Sequence, residues 1–317
     1  MDNIDYEKSL PRPKQRRSKL CFLAYSIFEI VSLVFLFLTT FGFLLSGTSF
    51  LPLQAFNPLR IKIQAQSNLA KDTIDIIQQG LKFATYLSND LNVYANFTTN
   101  DTILQKLDTL YDGSAYQFNL FGYCRTDPLA ETHGCFDGEG INVVSCFLTD
   151  LGMQLKTLTG EEHSGIDDKL VKIYYDLIHQ LCRGRMWTTR FPCVLQGYNC
   201  MGFLLQYVAI LAVSLTALAV AVCLADFVLL YGLFGVSWKF TFRLRLWCII
   251  MSMVCVNLTY VAIFYISQSI EELVQQYQVG QIRFNFRCWI AWDIVFFIAM
   301  IFVAKRQREY EKIRFPY

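Results

Sequence analysis

The sequence predicts a mainly α-helical membrane protein: a four-transmembrane helix bundle with a large disulfide-braced extracellular α+β loop between spans one and two. Hydrophobic residues make up 54% of the 317 residues, and the mean hydropathy is +0.34. Charged residues make up only 17%, below the roughly 25% that is usual for soluble domains. Four long apolar segments, and an even set of six cysteines between the first two, complete the prediction.

Each apolar segment comes close to the length of about 20 residues that a membrane-spanning helix needs. The first follows basic residues, as a signal sequence does, but its apolar run is longer than a typical signal sequence, so we interpret it as an uncleaved anchor. The predicted organisation in chain order is a cytosolic basic tail (1–19), span one (20–46), the extracellular disulfide-rich loop domain (47–202), span two (203–234), a cytosolic turn (235–245), span three (246–267), extracellular loop two (268–287), span four (288–304) and a cytosolic tail (305–317).

Lysine and arginine are concentrated in the two tails and in the turn between spans two and three. With four spans these segments share one side of the membrane, which the positive-inside rule makes the cytosol. Asn96 and Asn100 begin two N-x-Thr glycosylation acceptors in the opposite, large loop. The sequence therefore predicts a multi-pass membrane protein with both termini in the cytosol, and we take the plasma membrane as its expected location. The endoplasmic reticulum or another endomembrane is the alternative.

The centre of the large loop is a predicted strand with a crosslink. Apolar and polar residues alternate from Tyr116 to Leu120, as in a half-buried strand. The strand leads into Phe121-Gly122-Tyr123-Cys124, where a glycine beside a cysteine suits a close backbone approach. We predict a disulfide between Cys124 and Cys135. The connectivity of the other candidate disulfide cysteines stays open; they are Cys146, Cys182, Cys193 and Cys200.

Helical periodicity and turn residues divide the rest of the loop. A carboxylate-rich stretch with one histidine, residues 125–140, fits no EF-hand or zinc spacing, so no metal site is predicted and a solvated loop is preferred. The predicted elements are a linker (50–60), a helix (67–95) with an exposed glycan-bearing tip (92–101), a short helix (103–111), a strand or short helix (141–155) and an amphipathic helix (166–181).

Three acidic residues lie within the spans: Glu29, Asp226 and Asp293. An ionisable side chain in a bilayer is costly and usually faces a partner or a polar path. With no basic residue assigned to mid-membrane, a cation path or proton relay and simple helix packing are both open. Glu29 and Asp226 lie at similar depth and are expected to share a site, whereas Asp293 lies too far toward the other end.

Catalytic signatures are absent from the sequence, which has no P-loop, nucleophile elbow, zinc-protease or C-x-x-C pattern. The three histidines lie outside the spans, so helix-held haem is not indicated. We therefore predict a protein that is not an enzyme and needs no cofactor. A net charge of +2 gives no indication of nucleic-acid binding.

Phe121-Gly122-Tyr123-Cys124 followed by Cys135, together with four spans and a large first loop, resembles the claudin-like superfamily of fungi. Asn119 stands where that pattern has its first glycine. The resemblance extends to two branches: a Sur/PalI branch associated with plasma-membrane domains, and a Fig-type branch associated with calcium influx and membrane fusion in mating. It implies lateral self-association or contacts with other membrane proteins, and no catalysis.

Three functional hypotheses follow. The first is a claudin-like plasma-membrane protein that organises membrane domains or cell–cell contact and fusion, and regulates calcium influx. The second is a cation channel or transporter subunit that uses the intramembrane acids. The third is an endomembrane assembly factor for a larger partner.

Overall fold

The computed structural model of the protein describes residues 13–52, 57–64, 68–87, 101–127, 133–138, 141–160, 165–183, 191–231, 238–276 and 278–314. The helices are α1 (Pro13–Leu45), α2 (Leu69–Leu87), α3 (Asp101–Tyr111), α4 (Val143–Thr159), α5 (Ile166–Arg183), α6 (Phe191–Tyr231), α7 (Trp238–Gln276) and α8 (Phe286–Arg314). The strands are β1 (Leu59–Ile63), β2 (Ala115–Phe118), β3 (Gly122–Thr126), β4 (His133–Asp137) and β5 (Gly280–Phe284).

Within the described residues, four helices are long and apolar enough to cross a membrane, which confirms the prediction of a mainly helical protein with four candidate spans. Their candidate spans are Leu20–Leu45, Asn199–Val228, Phe240–Glu271 and Phe286–Lys312. Each helix extends beyond its apolar segment, because charged and polar residues continue the helical backbone past the hydrocarbon depth. Large apolar side chains such as Phe28, Val31 and Phe35 are exposed on α1, as expected of a surface that faces lipid.

The chain divides into two compact units. The helical unit contains residues 1–41, 209–257 and 287–317. Small buried residues on α6 allow close packing here: Ala212 is fully buried, and its carbonyl accepts a hydrogen bond from Ser252 on α7 at 3.2 Å. Trp292 on α8 donates its indole N–H to the Thr40 hydroxyl on α1 at 3.0 Å.

The sheet unit contains residues 42–208 and 258–286. Its five strands are all antiparallel, in the order β4-β3-β2-β1-β5. Alternating residues of β1 are buried on one face and exposed on the other, because successive side chains in a strand point to opposite sides. The sheet unit therefore joins the large loop to the segment between α7 and α8, which supplies β5.

Several local expectations from the sequence are wrong at particular residues. Residues 133–137, placed in a solvated loop, form β4, and residues 59–63, placed at the end of a linker and beyond it, form β1.

The segment predicted as strand or short helix is the helix α4, with the Asn142 side chain accepting from the Ser145 N–H at its N-terminus. The expected helices at 103–111 and 166–181 are present as α3 and α5.

Candidate functional site: a disulfide-braced sheet anchored to a membrane span

The turn between β2 and β3 holds the C-terminal end of α1. The side-chain amide of Asn119 donates to the carbonyls of Phe43 and Ser46, at 2.7 and 2.9 Å. Carbonyls at a helix end have no partner within the helix, so these bonds satisfy groups that burial would otherwise leave unpaired. Asn119 is only 3% exposed. Asn119, the residue at which this sequence departs from the claudin-like pattern, therefore joins the sheet to the end of the first span. We call these hydrogen bonds the clamp by Asn119.

Gly122 lies where two other backbone segments approach it closely. A Cβ at this position would lie 2.5 Å from the carbonyl oxygen of Phe136 and 2.7 Å from that of Gly47. Gly47 follows the end of α1 with φ +80°, a conformation that favours glycine. At Gly122 the sheet therefore meets the end of the first span backbone to backbone, and this position requires glycine.

A disulfide joins the two strands beside this contact. Cys124 on β3 and Cys135 on β4 are directly opposite and bonded. This coincides with the pairing proposed from the sequence. Among the other loop cysteines, Cys146 is buried on α4 and Cys200 is exposed on α6. The side chains of Cys182 and Cys193 lie outside the described residues, so a second bond stays a prediction.

The face of the sheet that packs on α3 and α4 has a buried charged centre. Arg125 donates to Asp150 at 3.0 Å and to the carbonyl of Leu110 at 2.8 Å, and its guanidinium lies 5.0 Å from the ring centroid of Tyr111. Tyr116 also hydrogen-bonds Asp150. Burial raises the pKa of the Tyr116 phenol well above its usual value, so the phenol is a neutral donor. The bonds from Arg125 and Tyr116 to Asp150 hold α4 against the sheet.

Strand β5 brings the segment between the third and fourth candidate spans into the same unit. Phe284 packs edge-on against Tyr260 and Phe264 in the C-terminal half of α7, with ring centroids 6.4 and 5.5 Å apart. Tyr260 in turn packs against Phe43 on α1 at 5.1 Å. Aromatic pairs of this kind add about 0.5–1.5 kcal/mol each beyond their buried area. The ends of two spans and the edge of the sheet therefore share one aromatic cluster.

The helical unit contains a buried network of four charged residues. Glu29 lies 2.8 Å from Arg306 on α8 and 3.4 Å from Arg245 on α7, and Arg245 lies 2.9 Å from Asp226 on α6. Each of the four is at most 4% exposed. The expectation that these acids have no basic partner is wrong. Arg245 and Arg306, assigned to a cytosolic turn and tail, belong to helices and neutralise both carboxylates.

This arrangement bears on the proposed cation path. Two carboxylates and two guanidinium groups balance in formal charge, and buried charges persist in proteins chiefly when they are paired in this way. The expected shared site of Glu29 and Asp226 exists, with Arg245 bridging the two. Asp293 lies elsewhere: its carboxylate accepts from the Asn257 amide at 3.5 Å, and the Asn257 carbonyl accepts from the Trp289 indole at 2.7 Å. The network joins four helices, which favours packing over ion passage.

Two further predictions have limited or no structural test. Asn96 and Asn100 lie outside the described residues, so their glycosylation stays a prediction. Among the residues that the structure describes, no group of three or more histidine, cysteine or acidic side chains could hold a metal ion.

Fold and site together define a multi-pass membrane protein whose first inter-span segment is a disulfide-braced antiparallel sheet with attached helices. A sequence model of the spore membrane assembly protein 2 family matches residues 19–185, which is more than half of the chain. The chain therefore belongs to the spore membrane assembly protein 2 family. No solved structure matches it.

A curated relative gives the same family. It is described as spore membrane assembly protein 2 of Eremothecium gossypii and is 35% identical over 95 residues. The match covers 28% of this chain and 25% of the relative, so the chain aligns with about a quarter of the relative's length.

The resemblance to the fungal claudin-like superfamily is wrong, because the matching family is a different one. The motif that suggested it spans about twenty residues, from Tyr116 to Cys135. A glycine beside a cysteine suits any crosslinked strand that meets another backbone closely, so this short motif is not specific to one family. The associations with mating, calcium influx and membrane fusion lose their support with the resemblance.

Proposed function

We propose that this protein takes part in assembling the spore membrane, as a membrane-embedded scaffold whose working part is the sheet unit. The observation that carries the proposal is the extent of the family match. Residues 19–185 contain the first span, strands β1–β4 and helices α2–α5. The clamp by Asn119 and the disulfide both lie within this region.

The proposed action is binding rather than catalysis. The buried charged pair of the sheet unit, Arg125 with Asp150, is paired internally, whereas a reactive site needs polar groups that turn toward a substrate. The backbone contact at Gly122 and the hydrogen bonds of Asn119 fix the sheet on the end of α1, and the disulfide at Cys124 braces the sheet itself. A sheet surface that is held rigidly against the end of a membrane span suits a protein that positions other components of a membrane.

The proposed location is an endomembrane that becomes the spore membrane, with both termini in the cytosol and the sheet unit on the other side. The family's name supports this location over the plasma membrane. The protein would act there as an assembly factor for membrane partners, which is the third of the hypotheses drawn from the sequence.

The test is deletion of the gene in the spore-forming host, followed by complementation. Loss of the chain should leave vegetative growth unchanged and produce spores with incomplete membranes by electron microscopy. A tagged wild-type copy should restore them and lie in the forming membrane. A copy with Gly122→Ala should fail, whereas Gly138→Ala, at a position where a new Cβ meets nothing within 4 Å, should restore them. Normal spore membranes in the deletion strain would refute the proposal.

A further inference from the structure

One face of the β1–β5 pair carries an exposed cluster of basic side chains. Arg60 on β1 lies directly opposite Arg283 on β5, and Lys62 follows on the same face opposite Gln281. All four side chains are exposed. We call Arg60, Lys62 and Arg283 the basic triplet.

The pairing of Arg60 with Arg283 is unfavourable in the absence of an anion. Directly opposite residues in an antiparallel pair have Cβ atoms about 4.5–5.5 Å apart, and like charges at that separation destabilise the sheet. Within the described part of the chain, no carboxylate lies within 4.0 Å of a charged nitrogen of the triplet. The sheet thus has a concentrated positive charge that the described residues do not neutralise by contact.

The position of the triplet along the chain indicates where its counter-ion lies. Arg283 is three residues before Phe286, the first residue of the fourth candidate span. The Asn285 N–H donates to the Pro58 carbonyl at 2.8 Å, which holds the beginning of β1 level with the end of β5. At about 3.3 Å per strand residue, Arg283 lies about 10 Å from the start of the span. A lipid headgroup layer is about 5–8 Å deep per leaflet, so the Arg283 backbone lies just beyond it and the long arginine side chain can extend back to the phosphates.

We propose that the basic triplet binds the phosphate of an anionic phospholipid headgroup in the leaflet where α8 begins. Guanidinium groups match phosphate through paired N–H donors, so a phosphate between Arg60 and Arg283 removes their repulsion. The opposite face of β1 is apolar and buried, with Leu59, Ile61 and Ile63 between 2% and 5% exposed. Anionic lipid therefore stabilises the β1–β5 pairing as well as being bound. This inference does not depend on the role in spore membrane assembly.

The experiment uses the full chain, purified in a neutral detergent. Binding of three probes is measured by thermophoresis: short-chain phosphatidic acid, short-chain phosphatidylcholine and inorganic phosphate. A basic residue near an anionic surface contributes roughly fivefold in affinity. The double variant Arg60→Gln with Arg283→Gln should therefore bind phosphatidic acid about 25-fold more weakly than wild type. The control, Lys71→Gln with Lys169→Gln, removes two exposed charges from helices of the same unit and should bind as wild type does.

A second variant separates ligand binding from folding. Arg60→Glu places a carboxylate opposite Arg283, so the sheet unit should be at least as stable as wild type to heating in neutral detergent, while phosphatidic acid binding is lost. Equal affinity for inorganic phosphate, or for phosphatidylcholine, would overturn the proposal of a lipid phosphate site. Unchanged binding by the double variant, or an equal loss in the control variant, would also overturn it. If the wild-type chain does not bind phosphatidic acid at all, the proposal is wrong, and an acidic protein becomes the expected partner of this surface.

Discussion

Glu29 on α1 and Arg306 on α8 form a buried ion pair, with 2.8 Å between carboxylate Oε2 and guanidinium Nη1, although 277 residues separate them. Arg245 and Asp226 extend the pair into a network that draws one residue from each of the four spanning helices. Its charges compensate within the bundle, so each of the four needs an opposite charge beside it.

Removing one charge from this network should damage the helical unit. Glu29→Ala leaves Arg306 without its carboxylate, and breaking a buried pair in this way costs about 3–5 kcal/mol. We expect a lower thermal unfolding midpoint in detergent and less protein in the membrane. The matched variant is Glu29→Leu with Arg306→Met, which removes one positive and one negative charge and keeps Asp226 with Arg245. It should regain most of the loss; a double variant no better than the single one would contradict the network's role.

A side chain at Gly122 should destabilise the sheet unit. In Gly122→Ala the new methyl would lie 2.5 and 2.7 Å from two carbonyl oxygens, and relief requires backbone movement at both. Overpacking of this kind costs about 1–3 kcal/mol. Thermal unfolding of the purified chain measures the effect, with Gly138→Ala as the control. An equal change in both variants would argue against the close approach at Gly122.

The disulfide between Cys124 and Cys135 should contribute through the unfolded state. The two cysteines are 11 residues apart, and closing a loop of that size is worth about 3 kcal/mol. Cys124→Ser with Cys135→Ser should lower the unfolding midpoint and remove the difference in gel mobility between reduced and non-reduced protein. If reducing agent lowers the midpoint of this double variant as much as it does that of wild type, another bond is responsible.

The sheet unit should also lose stability in acid through Asp137. The hydroxyl and the N–H of Ser49 both donate to this carboxylate, which lowers its pKa below the usual value. A carboxylate with a lowered pKa in the folded state stabilises the protein above its unfolded pKa, about 3.9, and the stabilisation is lost as the pH falls through the folded pKa. Ser49→Ala should therefore be less stable than wild type at pH 7, with a difference that narrows below about pH 4. Unfolding curves at several pH values test this; a constant difference would exclude the linkage.

The parts of the fold that hydrophobic periodicity specifies could be predicted, and the parts that depend on distant partners could not. The four spans and helices α3 and α5 have strong local patterns. Strand β5 depends on β1, more than 200 residues away, so its sequence alone reads as a connecting loop. Strand β1 does alternate, as Leu-Arg-Ile-Lys-Ile, but Pro52 and Pro58 just before it favoured the prediction of a linker.

The network residues show the same limit in the membrane. Arg245 and Arg306 stand at the margins of apolar segments, where counting charges for orientation assigns them to the cytosol. The signal that could have found them was Glu29 itself, since a buried carboxylate in a span calls for a cation within reach. The clamp by Asn119 had no such local signal, because the carbonyls that it satisfies belong to the end of α1.

Glycosylation tests the orientation predicted from the sequence. If the large loop faces the lumen, Asn96 and Asn100 should carry glycans, because acceptors in an exposed segment on that side are modified. Asn96→Gln with Asn100→Gln should then run faster on a gel than wild type and not change after endoglycosidase treatment. The control is Asn257→Gln, at an N-x-Thr sequence inside the third candidate span, which should run as wild type does. A wild-type chain that endoglycosidase leaves unchanged would place the large loop in the cytosol and require the opposite orientation for the sheet unit and its basic triplet.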